Sequence, residues 1–199
     1  MPQFSLRLMI LSLGVTALLS ACSSPPPPLR LPEMAFTAQA PIRLDVARID
    51  IVANYQAPTA KPHIEYDMPV SPENALRLWV RDHLKAVGNT GVMRLVIRNA
   101  SATERPLTTD QSLSGMFKKE VSALVELNLD VELQMLDERQ FVVTSVAGDA
   151  SRSLGELEGQ KLNERDRLLY DLTYDLIKGF GEKVDPNIRS GFNKWIVLN

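Results

Sequence analysis

The chain has 199 residues, with 22 basic and 24 acidic side chains, two histidines and a single cysteine, Cys22. That length suits one domain, or two small ones, with tails; 45% hydrophobic residues exclude disorder along the whole chain, and a formal charge of −2 gives no footprint for nucleic acid. One cysteine excludes an intrachain disulfide and a four-cysteine zinc site.

Met1 to Arg7 carries one positive side chain, and an uncharged apolar run from Leu8 to Leu19 (LMILSLGVTALL) follows. Crossing a bilayer core as a helix takes about 20 such residues, so the run has the length of a signal-peptide core rather than of a span. Ordinary secretory cleavage after Ala21 asks for a small residue three positions before the cut, where the chain has the bulky Leu19. Leu19-Ser20-Ala21-Cys22 instead resembles the lipobox of bacterial lipoproteins, in which the processing enzyme cuts before a cysteine that already carries diacylglycerol. The resemblance implies a signal peptide at residues 1–21, cleavage between Ala21 and Cys22, and lipidation of Cys22, palmitate included. One acyl chain holds only marginally, at about 0.8 kcal/mol per buried methylene, so stable anchoring calls for several chains on that cysteine. In Gram-negative lipoproteins an aspartate after the cysteine is the usual signal for retention in the inner membrane. Ser23 stands there, which in a host with two membranes implies the outer one, with the protein facing the periplasm.

Of thirteen prolines, eleven lie at or before Pro72. Proline removes a backbone donor and fixes φ, so residues 22–41 are expected to form a proline-rich tether ahead of a single domain at residues 42–199. Pro25 to Pro28 suit a polyproline II stalk of about 3.1 Å per residue or a tether of no special stiffness. Residues 42–55 (IRLDVARIDIVANY) alternate as a strand with a one-residue phase slip, which a β-bulge near Ala47-Arg48 would produce. Residues 56–70 read as a loop. Ser71-Pro72 supplies an N-cap and a first-turn proline. Leu76, Trp79, Val80, Leu84 and Val87 then fall on one helical face, with Gly88 placed to end the helix. Arg77, Arg81 and Lys85 recur on the opposite side as a solvated basic face.

Residues 92–98 predict a second strand, and Ser101 to Ser114 a polar loop. From Val121 to Met135 every odd position is apolar, the clearest signal in the chain, which predicts a long strand with one buried and one wet face. Asp137 to Gln140 can turn it, and Phe141 to Ala150 returns as hairpin partner. Asn163 with Asp166 resembles a capping box. Leu168, Leu169, Leu172, Leu176, Ile177 and Phe180 stripe a helix to about Lys183, and Asp185-Pro186 can cap a second turn or kink, with Ile188, Phe192, Trp195 and Ile196 giving it an apolar face of its own. The fold class expected is α+β: an antiparallel sheet with a long hairpin, packed on one face by two amphipathic helical regions.

Chemistry is sparse. His63-Ile64-Glu65-Tyr66-Asp67 alternates three possible ligands, but it lies in a proline-bounded loop, where a zinc site would lack a rigid frame. His83 borders the apolar stripe of the first helix. There is no G-x-S-x-G elbow and no phosphate-cradling G-x-x-x-x-G-K-[ST]. Glu126, Asp130 and Glu132 fit the wet face of the long strand. Hence no catalytic residue, metal or cofactor is assigned. Leu113, Met116 and Phe117 beside Lys118 and Lys119 can form an apolar, cationic tip for lipid or a partner, or fold back beneath the hairpin.

A lipobox followed by strand, helix, strand, long hairpin and helices resembles the auxiliary lipoproteins of ABC-type envelope lipid transporters. In element order it also resembles the lipoprotein of the lipopolysaccharide-assembly translocon. The resemblance covers residues 42–199 by architecture, without a shared motif, so it carries no functional residue over. It implies a non-enzymatic, lipid-anchored accessory or scaffold subunit with an envelope protein as partner, in lipid transport or outer-membrane assembly. The alternatives are a regulator of a peptidoglycan synthase and, behind it, an envelope hydrolase.

Overall fold

Ile42–Leu44 (β1) and Arg48–Ala53 (β2) continue one alternating pattern but join different sheets. In the computed structural model, which describes residues 30–107, 121–157 and 159–198, the expected bulge near Ala47-Arg48 is a break instead. The Val46 side chain is buried there, and the Ala47 N–H reaches the carbonyl oxygens of Thr90 and Gly91, both 3.1 Å away. The phase slip is thus the point where the strand changes partners. The chain divides into units Met1–Arg30 and Leu31–Asn199, and all the elements named below belong to the second. The lipobox residues Leu19 to Cys22 and the segment holding Leu113, Met116 and Phe117 lie outside the described residues.

The helix α1 runs Pro72–His83, with the Ser71 hydroxyl accepting the Asn74 N–H at 3.3 Å. It stops at His83, five residues before the expected Gly88, because Leu84–Ala86 (β3) pairs in parallel with β1. Val92–Pro106 (β4) extends well past the seven residues expected, into the stretch read as a polar loop. A register shift between Ile97 and Asn99 moves the buried set from Met93, Leu95 and Ile97 to Ala100 and Ala102. Those small side chains among polar neighbours hide the strand from a hydropathy reading, while pairing with Val121–Leu136 (β5) sustains it.

In β5 the odd residues from Val125 to Met135 are at most 2% exposed, as the alternation predicts. Val121, at the start of the strand, is exposed. Val142–Leu157 (β6) returns antiparallel and runs beyond the expected Ala150. The sheet order is β2-β4-β5-β6, with β2 parallel to β4 and the other pairs antiparallel. The fold is α+β, the sheet mostly antiparallel.

Leu162–Gly191 (α2) is one continuous helix. Its N-cap is Lys161, with no capping side-chain bond, so the Asn163/Asp166 capping box is not realised. Asp185-Pro186 does not start a new helix, because Phe180, Val184, Ile188 and Phe192 keep one buried stripe running across it. At Gly148 a Cβ would come within 2.8 Å of the Phe180 ring, so glycine lets α2 lie close on β6. At Gly181 the obstacle would be Trp79 Nε1 at 2.7 Å, which sets the approach of α1 to α2. Trp79 meets Phe180 edge to face at 5.3 Å, a pairing that contributes about 1 kcal/mol beyond burial.

The segment leading into β1 also packs on the helices. Met34 and Phe36 are buried, Phe36 stacks on Tyr174 of α2 at 5.3 Å, and its N–H donates to Asp82 Oδ2 of α1 at 3.0 Å. No helix among the described residues is long and apolar enough to cross a membrane.

Candidate functional site

The sheet leaves one stretch of β4 to be covered from elsewhere. β2 pairs with Val92 to Ile97 only, so the edge of β4 beyond the bulge would stand open. Residues 62–65 fill it like a short additional strand. The Glu104 N–H donates to Pro62 O at 2.8 Å, His63 bridges Thr103, and the Ile64 N–H donates to Ala102 O at 3.0 Å. The next backbone donor, the N–H of Ala102, is taken by the side chain of Glu65 at 2.9 Å.

Glu65, at the start of a 3-10 turn (Glu65–Asp67), is therefore drawn inward and is 6% exposed. Its Oε1 accepts three hydrogen bonds: from the Tyr55 hydroxyl at 2.6 Å, the Ala102 N–H, and His63 Nδ1 at 3.1 Å. That arrangement places the His63 ring proton on Nδ1. Tyr55 arrives there because it extends the inward phase of Ile49, Ile51 and Ala53 past the end of β2, its own N–H bound to Ile97 O. Burial pushes the Glu65 carboxyl upward, but the hydrogen bonds from Tyr55, the Ala102 N–H, its own backbone N–H and His63 outweigh it and hold it below the ordinary carboxylate value. The Tyr55 phenol is driven above its ordinary value, by burial first and then by Glu65. Glu65 is thus an anion.

Its second oxygen is different. Oε2 is buried and meets no hydrogen-bond donor among the described residues. Glu65 lines a cleft of about 630 Å³ together with Tyr55, Tyr66, Met68, Glu73 and Asn74, and among the described residues no lysine or arginine contributes to the wall. Glu73 is already matched by Arg77 of α1 at 2.8 Å.

A second histidine–carboxylate pair lies at the junction of the helices. His83, expected as a boundary residue, is 3% exposed, with Nε2 2.9 Å from both Oδ1 and Oδ2 of Asp185. Trp79 covers the ring at 5.1 Å, and a cavity of about 80 Å³ beside it is walled by Phe36, Trp79 and Tyr174. Asp185, expected as a helix cap, spends both oxygens on His83 and is drawn in because α2 continues through it.

The other candidates read from the sequence separate. Asp67 does not join His63 and Glu65, and no three His, Cys, Asp or Glu side chains among the described residues gather to hold a metal. Arg77 and Arg81 bind Glu73 and Asp82, and the ammonium of Lys85, carried by β3 rather than the helix, donates to Arg81 O. Glu126 and Asp130 meet Arg105 and Arg98 across the strands at 2.6 and 3.0 Å. Sequence reading missed Tyr55 and the pairing of His83 with Asp185, 102 residues apart. The only signal for Tyr55 is that its aromatic ring continues the inward phase of the strand.

No family model matches the chain, and no curated protein matches it. Solved structures with a similar course include a minor lipoprotein from Acinetobacter baumannii, at 14% identity and TM-score 0.39 over 78% of this chain and 99% of that one. They also include the rare lipoprotein B from Shewanella oneidensis, at 14% identity and TM-score 0.35 over 72% of this chain and 94% of that one. At these identities and scores the likeness transfers no role to this chain.

Proposed function

We propose that the protein is a lipid-anchored lipoprotein of the bacterial envelope, acylated at Cys22 and held in the outer membrane with its domain facing the periplasm. The observation that carries this reading is Leu19-Ser20-Ala21-Cys22 directly after an apolar run and directly before Ser23-Ser24 and four prolines. A cysteine in that setting has no core to enter, and its use is as an acyl acceptor. Cells fed a clickable palmitate analogue should label the wild-type protein, and Cys22→Ser should lose the label. Persistent labelling of the variant would overturn the anchor.

The domain then acts without turnover, as an accessory or scaffold subunit of an envelope complex, in lipid transport or outer-membrane assembly. Supporting this, His83 is buried and holds both oxygens of Asp185 at the helix junction. The tagged full-length protein should copurify with envelope proteins in fixed proportion; recovery alone from mild detergent would count against a complex. Leu113, Met116 and Phe117 are the contact residues proposed for that partner or for lipid, and replacing all three by serine should lower the recovery.

A further inference from the structure

We propose that the cleft bounded by Glu65, Tyr55 and Tyr66 binds an aliphatic primary ammonium group, with Glu65 Oε2 as its anchor. The proposal goes beyond the accessory role above and stands independently of the anchor at Cys22.

The two oxygens of the Glu65 carboxylate are used unevenly. Three donors converge on Oε1, whereas Oε2 has none among the described residues. An anionic oxygen that no protein donor binds keeps its acceptor capacity for a donor brought by a ligand. A fold with only structural use for the Ala102 N–H could satisfy it with a neutral acceptor. Glu65 brings a charge that the backbone bond does not require, and a cleft lies against it.

The cleft wall selects the ligand class by charge, size and donor count. Glu73 is bound by Arg77, and among the described residues no lysine or arginine lines the cleft to match Glu65. An anion is thereby disfavoured. A hard divalent metal needs about six oxygen ligands, and Oε1 is already saturated by hydrogen bonds. An ammonium asks for three acceptors, which Oε2, the phenol oxygen of Tyr55 and the side-chain carbonyl of Asn74 or Gln56 can provide from the same wall. The rings of Tyr55 and Tyr66 add faces that attract a cation, and Met68 suits the attached methylenes.

The source of that ammonium is either a free amine or the headgroup of an ethanolamine lipid, and the experiment separates them. The full-length protein in detergent micelles is titrated with putrescine, with 1,4-butanediol as the uncharged match, and separately with micelles doped with phosphatidylethanolamine or phosphatidylcholine. Binding is followed by calorimetry and by the ring proton signals of Tyr55 and Tyr66. Saturable binding of putrescine but not of the diol identifies a free-amine site; binding confined to the ethanolamine lipid identifies a headgroup site. In both cases Glu65→Gln, which keeps an acceptor for Ala102, should weaken binding at least about tenfold. Equal binding of diol and diamine, unchanged affinity in Glu65→Gln, or no response to any of the amines would overturn the proposal. Should Glu65→Gln fail to fold, the tyrosine ring signals of the wild type decide: shifts with putrescine or ethanolamine lipid alone support the site, and none refute it.

Discussion

Two histidine–carboxylate pairs in this molecule are built from the same groups and end in different states. At the helix junction His83 engages both oxygens of Asp185, under a Trp79 lid, and ties α1 to α2. At the open edge of β4 His63 shares Oε1 of Glu65 with Tyr55 and a backbone N–H, and Oε2 is left over. The first pair satisfies both carboxylate oxygens, with His83 and Asp185 bordering the small cavity beside Trp79. The second completes a sheet edge while keeping one acceptor in reserve, and the difference shows that the residue types alone do not distinguish a brace from a site. What decides is whether every polar atom has found a partner.

Removing one member of the first pair should have the largest effect. His83→Ala leaves Asp185 facing the helix junction without its partner, and stability should fall by about 3 kcal/mol, read as a lower urea midpoint with an unchanged slope. Glu65→Ala deprives the Ala102 N–H and the Tyr55 hydroxyl of their acceptor and should cost about 2 kcal/mol by the same measurement. If Glu65→Ala proved the more damaging of the two, the β4 edge would be the brace and the contrast would reverse.

Acid should act on the β4 edge through Glu65. Its folded-state carboxyl lies below the unfolded one, so its contribution to stability is full above about pH 4.3 and is lost as pH falls through the folded value. Asp82, held low by Arg81 with the Phe36 N–H assisting, follows the same sign. The urea midpoint should therefore drop below about pH 4, and Glu65→Gln should flatten that limb. An unflattened limb would assign the acid response to other carboxylates. The smallest effect is expected where charges are exposed: Arg105→Ala, opposite Glu126 on the wet face, should change stability by less than about 0.5 kcal/mol.

Legibility in the sequence followed the scale of the interaction. The β5 pattern was readable because one buried face repeats over the whole strand, and Ser71-Pro72 because capping is local. The second half of β4 was not, since Ala100 and Ala102 carry little hydropathy and its pairing is supplied by β5 and by residues 62–65. The continuity of α2 through Pro186 was hidden for a related reason: the buried stripe from Phe180 to Phe192 outweighs the lost backbone bond. At the cleft, the loop containing His63 and Glu65 was visible as a cluster of polar groups. Tyr55 and the Ala102 N–H were not, because the parallel pairing of β2 with β4 brings the first and the antiparallel bridge of residues 62–65 to β4 brings the second.

Met34 and Phe36, packed on the helices, also decide how the domain takes a load. Tension entering at Leu31 meets the Phe36 ring wedged against Tyr174 and its N–H held by Asp82 before it reaches β1. A pull at Leu31 should accordingly break the Phe36 contacts with Tyr174 and Asp82 before it reaches β1, which follows them in the chain.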